Sequence, residues 1–467
     1  MKRIKHNYFR GFAIPVMAAL CMAFSACTYE EEDLFDKSAA QRLNASVKDY
    51  RELLTSSQYG WVMEFWPNNG TMGGYVFTAK FSENGDVEMC GEEDITYDGK
   101  TYTPGDVFSS NYSVKTEQST ILTFDTYNPM FHKFSEPKGS SNVSGYNSDY
   151  EFVFLRASEN QDTIVLRGKK YGQEMTMTRL EESPKKYMEE AATVLKTSSI
   201  IQACTIDGNS YHARVEGRKF FITDKDSTEY ESLIIINNND LILRNEIILA
   251  NNVHLKSFRL EKENKRFVSH DERAVMEYPS PFGQLSITPW FIYVGYDYVD
   301  MSEELFGLFK TGVHYLGSFG DYADFFFLGL KGSCGLMGKK YKEHHQFLGF
   351  VSLQYFFVTG YAESMLAINF VEEDAGNSIV RIEELDRCSG NNVILDDGTR
   401  YQSFYGFLDG FVNNNPYKVT YDDDTVPSVA RFESVSNPNI WFIFKRENKQ
   451  QGFTLRQFAD KYGFDFY

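Results

Sequence analysis

Cysteine and proline are scarce in these 467 residues, at 6 and 12 respectively, and glycine numbers 34. So little Gly and Pro excludes a collagen-like or low-complexity chain. No Cys-x-x-Cys occurs, which argues against a zinc ribbon or a thioredoxin-type redox site. The Gly-x-Ser-x-Gly elbow and the His-Glu-x-x-His helix are also missing, so neither an α/β-hydrolase nor a zinc protease is signalled. Beyond residue 24 no apolar run approaches 18 residues, too short for a membrane-spanning helix. Positive charge is short as well, with 47 Lys+Arg against 65 Asp+Glu and a net charge of −18. Phosphate backbones and anionic headgroups are repelled by such a surface, so nucleic acid is not an expected partner.

Metal and cofactor signals are incomplete. In Glu343-His344-His345 adjacent side chains point apart, as in a solvated turn. Asp224-x-Asp226-x-Thr228 hints at a calcium loop but lacks Gly at its sixth and Glu at its twelfth position. Gly329, Gly332, Gly335 and Gly338 recur every third residue without Walker spacing, which fits tight sheet packing or a glycine-rich loop. No cofactor and no metal is expected.

What is abundant is aromatic: 40 Phe, 30 Tyr and 4 Trp. With 42% hydrophobic residues there is ample material for a core. The first ten residues carry Lys2, Arg3, Lys5 and Arg10, and a 14-residue apolar run, Gly11 to Phe24, follows. That run has the length of a signal-peptide core and falls short of the about 20 residues that span a bilayer. Ser25, Ala26 and Cys27 then resemble a bacterial lipobox, with Phe24 where Leu is usual. We therefore expect residues 1–26 to be a lipoprotein signal peptide and Cys27 to carry the lipid. Removing the four basic residues leaves 43 against 65, a net of −22. Glu30, Glu31, Glu32 and Asp33 cannot pack, so 27–37 reads as a solvated tether. The spacing of this run from Cys27 resembles the acidic signal that sends certain lipoproteins to the outer face of the outer membrane. The expected location is the outer membrane, held by lipid alone and facing the exterior.

The other four cysteines, Cys90, Cys204, Cys334 and Cys388, lie far apart. They allow three pairings and spacing selects none; they read as small buried hydrophobes.

From residue 38 the pattern is regular. Ser38 and Gln41 form a capping box, and Ala40, Leu43, Val47, Tyr50 and Leu54 make one apolar stripe, with a stop at Gly60. Short alternating segments follow to residue 180, among them Ile95–Tyr97 and Lys100–Tyr102 about Asp98-Gly99, a type I′ hairpin signature. Ser183-Pro184 opens a second helix with Tyr187, Ala191, Val194 and Leu195 on one face. Another meander runs to about 280, and an aromatic-rich third includes a helical stripe from Tyr401 to Val412 and a helix start at Thr454 and Gln457. The expected class is α+β, predominantly antiparallel meanders with a few flanking helices, in two to three subdomains. The boundaries are 38–182 and 183–467, with a possible further one near 280. Such sheets must close or be covered to hide their edges.

Several segments together resemble a family of uncharacterised lipoproteins, the domain of unknown function 4302 family. They are Ser38–Leu43, Gly60–Glu64, Gly73-Gly74-Tyr75, Leu122–Asn128, Asp149–Phe152 and Arg167–Lys170. The likeness is dense to about residue 190. It implies context rather than chemistry: companions of TonB-dependent uptake systems, often beside a substrate-capturing lid lipoprotein.

Leu122–Asn128 is the most pointed stretch. Strand alternation ends at Phe124 and Asn128-Pro129 signals a turn. Asp125, Tyr127, Asn128 and His132 are either a structural corner or a ligand site. Two functions follow. One is a non-catalytic surface module that captures a glycan or peptide nutrient or supports an uptake complex. The other is a surface hydrolase acting on polysaccharide or protein through a carboxylate pair.

Overall fold

A computed structural model describes residues 39–137, 145–249, 252–285, 290–294, 298–317, 326–331, 348–357, 360–391, 405–446 and 460–463. The signal segment, Cys27, the acidic run Glu30–Asp33, Ser38, Cys334, Glu343-His344-His345 and the Thr454–Gln457 helix start lie outside them, as does the side chain of Cys388. Among the described residues no helix is long and apolar enough to cross a membrane.

The expected α+β class, dominated by antiparallel sheet, is what the structure shows, and the meanders close. Three eight-stranded barrels follow one another, spanning Trp61 to Arg179, Ala203 to Glu277 and Trp290 to Lys445. The chain divides into two compact units, one ending at Met188 and the other beginning at Glu189.

The first barrel is built from β1 (Trp61–Phe65), β2 (Tyr75–Phe81), β3 (Asp86–Gly91), β6 (Phe108–Thr116), β7 (Thr120–Phe124), β8 (Glu151–Ala157), β9 (Thr163–Gly168) and β10 (Glu174–Arg179). Closure is made by β1, which puts Trp61 opposite Ala79 of β2 on one side and Arg179 of β10 on the other. A two-stranded hairpin, β4 (Ile95–Tyr97) and β5 (Lys100–Tyr102), stands outside this ring. Asp98 and Gly99, with φ of 50° and 73°, form its turn, the positive pair that a type I′ turn needs.

Every second residue points inward. Trp61, Met63 and Phe65 of β1 meet Met175 and Met177 of β10 in one buried cluster. A barrel of eight strands is just wide enough for side chains to fill, and aromatics fill this one. Helix α1 (Ala39–Thr55) covers one end, where Leu54 O accepts the Trp61 indole N–H at 2.9 Å. It stops at Thr55, ahead of the expected Gly60, which instead turns the chain into β1 with φ of 91°. Helix α2 (Pro129–Ser135) plugs the other end. Its Phe131 meets Phe65 at 5.4 Å, Phe77 at 5.5 Å, Phe124 at 4.5 Å and Phe152 at 5.4 Å. Emptying that position would cost about 3–5 kcal/mol.

Helix α3 (Pro184–Ser198) runs across the boundary between the two units, and its Ala191 and Val194 lie in the second barrel's core. Val426, from the third barrel, joins that same core, and Lys196 meets Asp423 at 3.3 Å. The third barrel packs Phe432 on Phe442 at 4.9 Å. Helices α4 (Glu303–Gly317) and α5 (Tyr405–Val412) bring Leu305, Phe309, Phe407 and Phe411 to its core.

Candidate functional site

The corner after β7 is built on Asn128, which is fully buried. It caps α2: its Oδ1 accepts the Met130 N–H at 3.0 Å, and Pro129 takes the first helical position, where a missing N–H is harmless. Its Nδ2 donates to Ser110 Oγ at 2.9 Å, tying the helix start to β6. One turn on, His132 Nδ1 lies 2.9 Å from Asn128 O and 3.0 Å from Asn128 N. Asp125 points away to an exposed ion pair, its Oδ1 2.7 Å from Lys115 Nζ. Burial acts most strongly on Asp125 and pushes its pKa up. The bond and charge of Lys115, helped by the nearby Ser113 and Thr123 side chains, outweigh it and leave the carboxyl below its ordinary value.

Of the four residues singled out in sequence, the structure stacks two, Tyr127 and His132, and places Asn128 and Asp125 in framework roles. Two further rings complete the stack. Tyr97 of the hairpin lies on Tyr127 with centroids 4.7 Å apart and planes at 14°. Tyr127 lies 5.0 Å from His132, and His132 lies 4.6 Å from Tyr150, at 23°. The two outer contacts are stacked and the middle one is tilted, at 33°, all at spacings where aromatic rings attract. The inner rings are half-buried, whereas Tyr97 and Tyr150 are 37% and 40% exposed. The Tyr127 hydroxyl donates to Glu136 Oε2 at 3.1 Å. Burial, then the Glu136 charge, push its pKa up to about 12. Burial holds His132 below its ordinary value against the opposing pull of the Asn128 bond and Glu136.

Tyr150 is held by its neighbour. The buried Asp149 carboxylate accepts the N–H groups of Lys170 at 2.8 Å and Tyr171 at 2.9 Å. Gln173 Oε1 accepts the Asp149 N–H at 3.2 Å. Gly168 is required here, because a Cβ would overlap Asp149 Oδ2 and lie 2.7 Å from its Cγ. Burial raises the Asp149 pKa more than these bonds lower it. Asp149–Phe152 and Arg167–Lys170, far apart in sequence, thus form one lock beneath the ring column. Sequence reasoning missed Tyr97 and Tyr150 as site residues. The available signals were an aromatic beside the Asp98-Gly99 turn and one inside Asp149–Phe152.

Elsewhere on this barrel, a depression of about 480 Å³ runs between α1 and the β8–β9 turn, lined by Ser46, Asp49, Tyr50, Ser158 and Glu159. Its Tyr50 ring stacks on Phe154 at 4.0 Å. In the second barrel, Asp224 closes a hairpin turn, its Oδ1 accepting from Asp226 N and Thr228 N at 2.9 Å each. Cys90 and Cys204 are free and buried, and burial pushes the Cys204 thiol up to about 12.

Residues 31–262 match the model of a family described as a domain of unknown function (DUF4302), so the resemblance covers the first barrel and most of the second. No curated protein matches the chain. Among solved structures, one of streptogramin B lyase is 10% identical over 82% of this chain and 97% of that one, with a TM-score of 0.11. Catalytically inactive virginiamycin B lyase from Staphylococcus aureus with quinupristin is 8% identical over 82% and 99%, also at 0.11. Likeness at that level carries nothing about fold or activity.

Proposed function

We propose, with the DUF4302 match over residues 31–262 as premise, that the chain is a non-catalytic capture module on the outer face of an outer membrane. Its signal peptide is removed, Cys27 is lipidated, and Glu30, Glu31, Glu32 and Asp33 direct export to the surface. It captures a glycan or peptide nutrient, or supports a TonB-dependent transporter and its lid lipoprotein. The observation that carries this reading is the exposed ring column on a barrel whose interior is already filled. A filled barrel offers no chamber, so recognition belongs to its rim. Around that rim, Asp125, Asn128 and Asp149 are engaged in bonds that build the corner.

A glycan and peptide array on residues 34–467, with product analysis of each hit, tests the reading. Intact ligand is expected. Turnover that disappears on replacing one acid would replace capture with hydrolysis. For location, Cys27→Ala should empty the outer-membrane fraction. Replacing Glu30, Glu31, Glu32 and Asp33 with Ala should preserve lipidation but protect the protein from protease added to whole cells. Equal digestion of wild type and the four-Ala variant makes the acidic run a spacer only.

A further inference from the structure

Resting on the capture reading, we infer that the column Tyr97–Tyr127–His132–Tyr150 is a binding ledge for a neutral pyranose glycan, contacted through its two exposed end rings. Three observations favour that chemistry. First, a pyranose has an apolar C–H face that lies flat on an aromatic ring, and a rim of hydroxyls that donate hydrogen bonds. The column supplies both counterparts: exposed rings at Tyr97 and Tyr150, and an acceptor carboxylate at Glu136, beside Tyr127. The rings are held by separate pieces of framework, namely the hairpin turn, the α2 cap and the Asp149 lock. The ledge is therefore formed before ligand arrives, which spares the entropy of ordering it.

Second, one recurring way to hold an extended peptide is to add it as a strand to an open sheet edge. Here the eight strands of the barrel pair all the way round, so the barrel has no edge to extend. The outlying hairpin has strands of three residues each, too short to register a peptide backbone.

Third, net charge disfavours acidic ligands. The chain carries −18 overall; next to the column, Glu136 is bonded to Tyr127 and one cation, Lys170, interacts with Tyr150. Uronic-acid or sulfated polysaccharides would be repelled, whereas a neutral sugar would not.

The test is calorimetric titration of the full-length protein with maltohexaose, cellohexaose and xylohexaose, with chondroitin sulfate as the anionic comparison and a peptide library alongside. At least one neutral hexasaccharide should bind. Tyr97→Ala and Tyr150→Ala should each weaken it about two- to tenfold, the range expected for one aromatic stack. Tyr298→Ala, which removes a ring 46% exposed in the third barrel, should leave it unchanged. Because the end rings lie outside the core, circular dichroism of both variants should match wild type. Neutral sugar binding that survives both substitutions overturns the inference and leaves capture standing. So does peptide binding without sugar binding, or tighter binding of chondroitin sulfate than of every neutral sugar. Absence of any binding overturns both the inference and nutrient capture.

Discussion

Replacing Gly168 with Ala adds one methyl group where the Asp149 carboxylate already sits. The backbone at Gly168 cannot yield easily, since its N–H is bonded to Gln173 O at 2.7 Å within a barrel strand. The carboxylate must therefore swing away and give up the N–H groups of Lys170 and Tyr171. Hydrogen bonds to a charged group contribute about 1.5–3 kcal/mol each, so the lost pair sets a cost of about 3–6 kcal/mol, reduced by whatever relaxation the turn allows. Hydrogen exchange read by mass spectrometry on peptides from residues 145–179 localises that loss to the first barrel, which whole-chain melting of two units would blur. A double-mutant cycle isolates the cause. Asp149→Ala removes the bonds and the overlap with the carboxylate, leaving a close 3.0 Å contact between the two Cβ atoms, so adding Gly168→Ala to it should cost much less than Gly168→Ala alone. The coupling should approach the whole cost of Gly168→Ala alone. Protection in Gly168→Ala within about 0.5 kcal/mol of wild type, or costs that simply add, would refute the lock.

Asn128→Ala removes a helix cap and a buried bond to Ser110, and should destabilise the barrel by about 2–3 kcal/mol in denaturant. Asn128→Asp, which keeps the cap acceptor and loses the donor, should fall between that variant and wild type. The His132 ring should titrate below about 6.5 by NMR, because burial disfavours its charged form. The unfolded chain then takes up the proton first, so stability present above about pH 6.5 is lost as pH falls toward the folded value, and His132→Gln should remove that slope. Iodoacetamide should leave Cys90 and Cys204 unmodified in the native protein and alkylate both in urea, read by peptide mapping, because burial raises both thiols.

Local pattern carried a long way. Two-residue alternation and the Asp98-Gly99 turn are properties of neighbouring residues, and β4, β5 and their turn stand where the sequence puts them. The Ser183-Pro184 start likewise opens a helix whose Ala191 and Val194 are buried. Where two local signals competed, the weaker was underread. Asn128-Pro129 was legible as a turn, yet an Asn cap, Pro at the first position and apolar Met130, Phe131 and Phe134 also spell the short helix that plugs the barrel.

Closure was beyond local reach. Pairing Trp61 with Arg179 joins ends more than a hundred residues apart. What selects it is the need to bury both open edges at once, a condition on the whole sheet that no window of sequence contains. The ring column has the same origin. Tyr97, Tyr127, His132 and Tyr150 come from a hairpin, a turn, a helix and a strand approach, and share no periodicity. They meet because the hairpin is carried outside the barrel, the Asn128 cap aims α2, and bonds from Lys170 and Tyr171 fasten Asp149, the residue before Tyr150. Sequence singled out Tyr127 and His132, whereas their partners Tyr97 and Tyr150 and the common face of all four were decided by how the barrel shut.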